Sequence, residues 1–151
     1  MGPPINGDIA AKTKAGTIGK AAMPSKAILV IDPSSDFIDL VAYLLGERGY
    51  QVQGAFTLTQ GLMLLDEAQF NLIMTEAFKQ SNPYDFDPEF LDDLHSKADD
   101  IPIVLCSIYS SVESLQPGDH GLAAVITKPV DINYLEATLL RILDRTASSP
   151  A

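Results

Sequence analysis

Four polar residues stand at the ends of apolar runs, where their side chains could act together. The set is Asp32 after AILVI, Glu76 after NLIMT, Ser107 at the end of IPIVLCS, and Lys128 after AAVIT. Two carboxylates, a hydroxyl and an ammonium group suit a small anionic group, or a cation held between the carboxylates. A structural ion pair between Lys128 and one or both acids explains the same residues and would stabilise the fold only modestly.

The elements that position these residues alternate along the chain. The apolar runs predict strands at 27–31, 50–56, 71–75, 101–107 and 123–127, and the more polar second run indicates a strand near the sheet edge. Apolar residues at helical spacing predict helices between most of these strands and after the last one. This alternation predicts an α/β domain with a doubly wound, five-stranded parallel sheet in the flavodoxin-like order 2-1-3-4-5. In that order the four polar side chains should converge at the carboxyl edge of the sheet.

Helix ends are marked by capping residues. Gly49 is expected to end the first helix, whereas Asp87 followed by Pro88 predicts the start of a later one. Asp131 is expected to cap the last helix. The helix between the fourth and fifth strands is doubtful, because Pro117-Gly118 should cut it short.

Charge divides the chain into regions. The net charge is −10, but residues 1–26 hold four lysines and one acid, a net of +3, so the remainder carries −13. Such an acidic body should repel nucleic acid, so we expect no nucleic-acid partner. We predict a flexible tail over 1–25, one domain over 26–146 and a short tail over 147–151.

The sequence indicates a cytoplasmic protein. It has no apolar run near the roughly 20 residues that cross a bilayer and no secretory signal, so no membrane association is expected. Its single cysteine, Cys106, excludes an internal disulfide and lies in an apolar run, where a buried, inert thiol is expected.

From about residue 26 to 145, the sequence resembles the receiver domains of two-component response regulators, the CheY-like family. The resemblance rests on ILVID at 28–32, ERGYQV at 47–52, FNLIMTE at 70–76, IPIVLCS at 101–107 and GLAAVITKPV at 121–130. It implies that acids after the first strand and an aspartate after the third hold Mg²⁺, and that this aspartate takes a phosphoryl group from a histidine kinase. It also implies that Ser107 and Lys128 stand where the family grips the phosphate, and that the bond before Pro129 is cis.

The chain departs from the family pattern at the positions that carry the chemistry. Pro33 replaces the second acid of the first pair, so only Asp32 remains there. Glu76 stands at the phosphoacceptor position and extends one methylene further than aspartate. Val125 stands at the aromatic switch position and cannot make the ring flip. Loss of a carboxylate should weaken Mg²⁺ binding strongly, so we expect no required cofactor and no dedicated metal site, with Mg²⁺ binding at most weakly.

These departures predict a pseudo-receiver that signals through protein contacts and has no catalytic residues. The expected partners are a histidine kinase, another regulator or a second copy of the chain. One hypothesis is that Ser107 and Lys128 bond to Glu76 and fix one active-like conformation. The alternative is that these residues are inherited and that their polar groups merely have bonding partners, with no role in function.

Three further interpretations remain open. A conventional phosphorelay receiver could hold Mg²⁺ through acids such as Asp85 or Asp87. A small flavodoxin-like nucleotide or flavin binder is disfavoured, because no glycine-rich phosphate loop follows a strand.

The acidic stretch 84–100 predicts a solvated helix face, or a docking surface for a basic partner. His95 and His120 lack metal-ligand spacing and are expected at the surface.

Overall fold

The computed structural model describes residues 26–79, 86–108 and 115–148, with side chains up to residue 144. The expected tail at 1–25 lies outside this part, as do residues 149–151 of the tail expected at 147–151, Asp85 and most of the segment after the fourth strand. Residues 147 and 148 of that expected tail instead belong to the last helix. Within it, the elements follow in this order: β1 Ala27–Ile31, α1 Ser35–Gly46, β2 Gln51–Ala55, α2 Leu58–Glu67, β3 Leu72–Thr75, α3 Pro88–Ala98, β4 Ile103–Ser107, a 3₁₀ turn Asp119–Gly121, β5 Ala124–Thr127 and α4 Ile132–Ser148.

All five strands are parallel and lie in the order β2-β1-β3-β4-β5. This confirms the predicted order 2-1-3-4-5. Strand β2 is an edge strand in which only Ala55 is buried, whereas every residue of β3 and β4 is buried. The central strands are therefore covered on both faces, as their continuous apolar runs predict.

Two apolar cores lie on opposite faces of the sheet. Helices α1 and α4 cover one face through residues such as Val41, Leu45 and Leu139. Helix α3 covers the other through Phe90 and Leu94, beside half-buried residues of α2. Alternate residues of each strand supply the two cores, because successive side chains of a strand point to opposite faces.

The helix ends are set by side-chain caps. The Asp87 Oδ1 accepts a hydrogen bond from the Glu89 N–H at the start of α3, with Pro88 at the first helical position. The Asp131 Oδ1 accepts bonds from the N–H groups of Asn133 and Tyr134. Helix α1 ends at Gly46, three residues before the predicted stop, and Gly49 takes a positive φ of 95° in the turn that follows.

Candidate functional site

The structure brings the side chains of Asp32, Glu76 and Lys128 together at the carboxyl edge of the sheet. Asp32 and Glu76 follow β1 and β3, which are neighbours, and each is only 2 % exposed. Lys128 follows β5, and its backbone N–H donates to the Ser107 carbonyl at 2.9 Å. Parallel pairing therefore places residues from distant parts of the sequence in one small site.

Asp32 is the main partner of the Lys128 ammonium. The distance from Nζ to the Asp32 Oδ2 is 2.6 Å, whereas the distance to the Glu76 Oε2 is 3.6 Å. The other Asp32 oxygen, Oδ1, accepts a hydrogen bond of 2.9 Å from the Ser34 N–H. Both oxygens of Asp32 are thus engaged by the chain itself.

Glu76 is held less completely. Its Oε2 accepts a hydrogen bond of 3.3 Å from the Ile108 N–H, and Oε1 is buried with no hydrogen-bond partner among the described residues. Burial raises the pKa of Glu76, because the charged form loses its hydration. A side-chain hydrogen bond with Ser107 and the charge of Lys128 oppose this rise and do not cancel it.

Two contacts at the site were not predicted by the resemblance to receiver domains. The Lys128 Nζ lies 4.1 Å from the centre of the Phe37 ring, at cation–π distance. The Ile108 N–H reaches Glu76 from the residue after β4. Phe37 could be placed in the first helix from its periodicity, but the ring's position over the ammonium depends on how α1 packs.

The positions that depart from the family pattern lie around this site. Pro33 is exposed directly after Asp32, and Val125 is half-buried against the core on the α3 face. The Lys128–Pro129 peptide bond is cis. Asp87, suggested above as a rescuing magnesium ligand, instead caps α3, and Asp85 lies outside the described residues.

The donor set does not fit Mg²⁺. In the described ranges, no three residues among His, Cys, Asp and Glu stand close enough to hold a metal ion together. Mg²⁺ requires near-octahedral oxygen ligands and binds through carboxylates. Here both oxygens of Asp32 already bond within the chain, one to the Ser34 N–H and the other to the Lys128 ammonium.

We expect Glu76→Gln to raise the free energy of unfolding near pH 7 by about 1 kcal/mol, because a buried charged oxygen without a partner is costly. The sign follows from the raised pKa of Glu76. Wild-type stability should fall relative to the variant as pH rises above the ordinary carboxyl value of 4.5, and the difference should level off above the raised pKa. Urea denaturation of both proteins, compared at the same pH at each point between pH 4 and 8, measures this difference in the free energy of unfolding.

Glu67→Gln is the matched control, because Glu67 is exposed at the end of α2. It should leave stability nearly unchanged across the same range. A Glu76→Gln variant that is less stable than wild type near pH 7 would show that the Glu76 charge is stabilising and would contradict the prediction.

Other candidate residues lie away from the site or are inert. Cys106 is buried in β4, and burial raises its pKa to about 12, so the thiol stays protonated. His120 is exposed as expected, but His95 is half-buried and its Nε2 lies 2.8 Å from the His120 carbonyl oxygen. His95 therefore lies at the surface only in part, because α3 packs against the loop before β5 and one ring nitrogen contacts that loop.

The acidic stretch presents its charges to solvent within the described part, 86–100. Glu89, Asp92 and Asp93 are exposed on α3, whereas Phe90 and Leu94 face the core. The pattern is that of a solvated amphipathic helix. None of the helices in the described ranges has the length and apolar character needed to span a membrane.

Comparison with known proteins finds similarity in structure. A CheY-like response regulator receiver domain from Methanospirillum hungatei is 27% identical, with a TM-score of 0.71 over 82% of this chain and 98% of that chain. The receiver domain of NtrX from Brucella abortus is 25% identical, with a TM-score of 0.68 over 78% and 98%. The chemotaxis response regulator CheY4 of Vibrio cholerae is 24% identical, with a TM-score of 0.65 over 79% and 99%. No protein-family model and no curated protein sequence matches the chain.

Proposed function

We propose that this chain, which has the fold of a CheY-like response regulator receiver domain, serves two-component signal transduction as a pseudo-receiver that works through protein contacts. One observation carries the proposal. The Lys128 ammonium binds the Asp32 carboxylate at 2.6 Å, so an ion pair of the chain itself fills the site where a receiver would take Mg²⁺ and a phosphoryl group.

The environment of Glu76 supports the same proposal. Phosphoryl transfer depends on positioning and on cations that neutralise the developing charge. Glu76 is 2 % exposed, and burial raises the pKa of this carboxyl group, which disfavours its anionic form. Among the described residues, Asp32 is the acid beside it, and Pro33 stands where the receiver pattern has a second acid. A phosphodonor would therefore meet a buried acceptor whose pKa is raised by that burial, with one other acid beside it.

Exposed apolar residues on the α4 side support function through protein contacts. Tyr134 is 57% exposed and Leu140 is 46% exposed on α4. A cavity of about 260 Å³ lies beside Tyr134, and its other lining residues are Leu115, Val125, Ile126, Thr127, Pro129 and Asp131. Aromatic side chains are favoured anchors in protein interfaces. A histidine kinase, another regulator or a second copy of the chain would fit such a surface.

We expect no covalent phosphorylation when the protein is incubated with a small phosphodonor, such as acetyl phosphate, and Mg²⁺. Intact-mass spectrometry measures the added phosphoryl group, and a receiver domain that carries both acids and the acceptor aspartate serves as the positive control. A wild-type chain that gains one phosphoryl group, and loses this ability on Glu76→Gln, would instead establish a conventional receiver. The unpartnered Glu76 Oε1 is the atom that would accept the group in that case.

A further inference from the structure

An apolar groove runs between α1 and the start of α4. It encloses about 280 Å³ and is lined by Phe37, Leu40, Val41, Leu44, Lys128, Pro129, Val130, Ile132 and Leu135. Its rim includes Leu40, which is 55% exposed, and Tyr43 lies 66% exposed on the same helix. Binding sites are commonly concave and mainly apolar, and this groove is near the lower end of their size range.

Acidic residues stand at both ends of the groove. At one end the two carboxylates of Asp32 and Glu76 outnumber the Lys128 ammonium, and the exposed Asp36 begins α1 beside them. At the other end Arg48 pairs with Glu136 of α4 at 2.8 Å. Arg48 and Glu136 offset each other, and the exposed Glu47 leaves one negative charge there. An occupant that brings both apolar side chains and positive charge would complement this groove.

The chain contains such a segment directly before its first strand. Residues 12–25 hold Lys12, Lys14 and Lys20 with no acid, together with the apolar Ile18 and Met23. This segment carries +3, against −13 for residues 27–151.

The segment joins the domain near the Arg48 end of the groove. The Lys26 carbonyl accepts a hydrogen bond of 2.8 Å from the Gln51 N–H. The preceding residue, Tyr50, has a pKa raised by burial and then by the charges of Glu136 and Asp144 on α4. Lys26 is therefore bonded to the residue after Tyr50, and Tyr50 packs against the same core that α1 and α4 cover.

The segment is long enough to reach the whole groove. The eight residue-to-residue steps from Ile18 to Lys26 span at most about 26–29 Å when extended. Helix α1 has 12 residues, and so it is about 18 Å long.

We propose that residues 12–25 bind this groove in the same chain, with Ile18 and Met23 against its apolar wall and the lysines beside its acidic ends. Attachment through Lys26 gives the segment an effective concentration on the order of millimolar, so even a weak contact is populated. The bound segment covers the rim around Leu40 and shields Phe37, which packs on Lys128. It thereby competes with any protein that would use the α1 side of the domain. This contact does not depend on phosphorylation or on the proposed pseudo-receiver function.

Paramagnetic broadening in the full chain tests the contact directly. A Thr17→Cys variant carries a nitroxide label at one position, because Cys106 is buried and its raised pKa keeps the thiol unreactive. Amide resonances are compared between the oxidised and reduced label. Broadening is expected at Leu40, Val41 and Ile132, and none at Leu91 or Leu94 on the α3 face.

The contact should also respond to charge. Changing Lys12, Lys14 and Lys20 together to Glu should abolish the broadening, and raised salt should reduce it. The matched control Lys97→Glu, on α3, should leave it unchanged. Uniform weak broadening, or broadening centred on the exposed acids of α3, would overturn the proposal.

A mixed sample separates the chain's own segment from that of a second copy. Spin-labelled chains without isotope are combined with isotope-labelled chains without spin label, so that only contacts between molecules cause broadening. None is expected at the groove in dilute samples. Broadening there as strong as within one labelled chain would assign the groove to a second copy and would refute binding within the chain.

Discussion

Replacing Lys128 with methionine is expected to lower the free energy of unfolding by about 3–5 kcal/mol, because it removes one partner of a buried ion pair and leaves uncompensated charge. Methionine keeps much of the apolar stem and removes the ammonium group. Asp32 and Glu76, each 2 % exposed, would then face each other without a shared cation. The contact of the ammonium with the Phe37 ring would be lost as well.

Chemical denaturation followed by far-ultraviolet circular dichroism measures this loss, since the chain has no tryptophan. The matched control is Lys97→Met, which breaks the pair between Lys97 and Asp66. Both side chains of that pair are largely exposed, at 41% and 61%, so this change should cost less than about 1 kcal/mol. If Lys128→Met costs no more than Lys97→Met, the buried pair is not what holds the site.

A second variant keeps the prediction testable if Lys128→Met fails to fold at neutral pH. Adding Asp32→Asn removes the carboxylate that Lys128 binds most closely, so the double variant should recover part of the lost stability. Such non-additivity is expected for residues in direct contact. Lowering the pH should have a similar effect, because protonated carboxyl groups no longer need the cation.

The sequence predicts the fold well because its signals are local and agree with one another. Continuous apolar runs predicted strands buried on both faces, and β1, β3 and β4 have that burial. Few strand orders were then possible, because the crossover connections between parallel strands are right-handed. The strand ends were predicted less accurately: 101–107 was expected, whereas β4 begins at Ile103.

The site could be predicted as a set of residues but not as a set of contacts. Strand order alone places Asp32, Glu76 and Lys128 at one sheet edge. It does not decide which carboxylate the ammonium approaches. The hypothesis bonded both Ser107 and Lys128 to Glu76: Ser107 does hydrogen-bond the Glu76 side chain, but Lys128 lies 3.6 Å from Glu76 and only 2.6 Å from Asp32. That choice depends on side-chain packing, including the Phe37 ring and the Ser34 N–H.

His95 shows a similar limit. Its isolation in sequence suggested a surface side chain, but α3 turns it toward the His120 carbonyl in a loop 25 residues away. Gly121, which has a φ of 73° in that loop, approaches the same ring so closely that an added Cβ would lie 2.9 Å from the His95 Nε2. A contact of this kind joins two segments with no shared motif, so periodicity carries no sign of it.

Introducing both acids of the receiver pattern is expected to raise magnesium affinity above that of the wild-type chain. The double variant Pro33→Asp with Glu76→Asp would place three carboxylates beside Lys128, changing the formal charge of the site from −1 to −2. Because Mg²⁺ binds through carboxylate oxygens, we expect its affinity to rise on the order of tenfold or more, which corresponds to about 1.4 kcal/mol or more. The shorter side chain at position 76 also leaves room for an ion.

Amide chemical shifts followed during a Mg²⁺ titration measure this gain, and intact-mass spectrometry after treatment with acetyl phosphate measures whether acceptance of the phosphoryl group returns with it. Each single variant should gain less than the double variant, and adding Asp32→Asn to the double variant should remove the gain. If the double variant binds Mg²⁺ no more tightly than wild type, the missing acids are not the main obstacle. The hold of Lys128 on Asp32, at 2.6 Å, would then be the feature that closes the site to a cation.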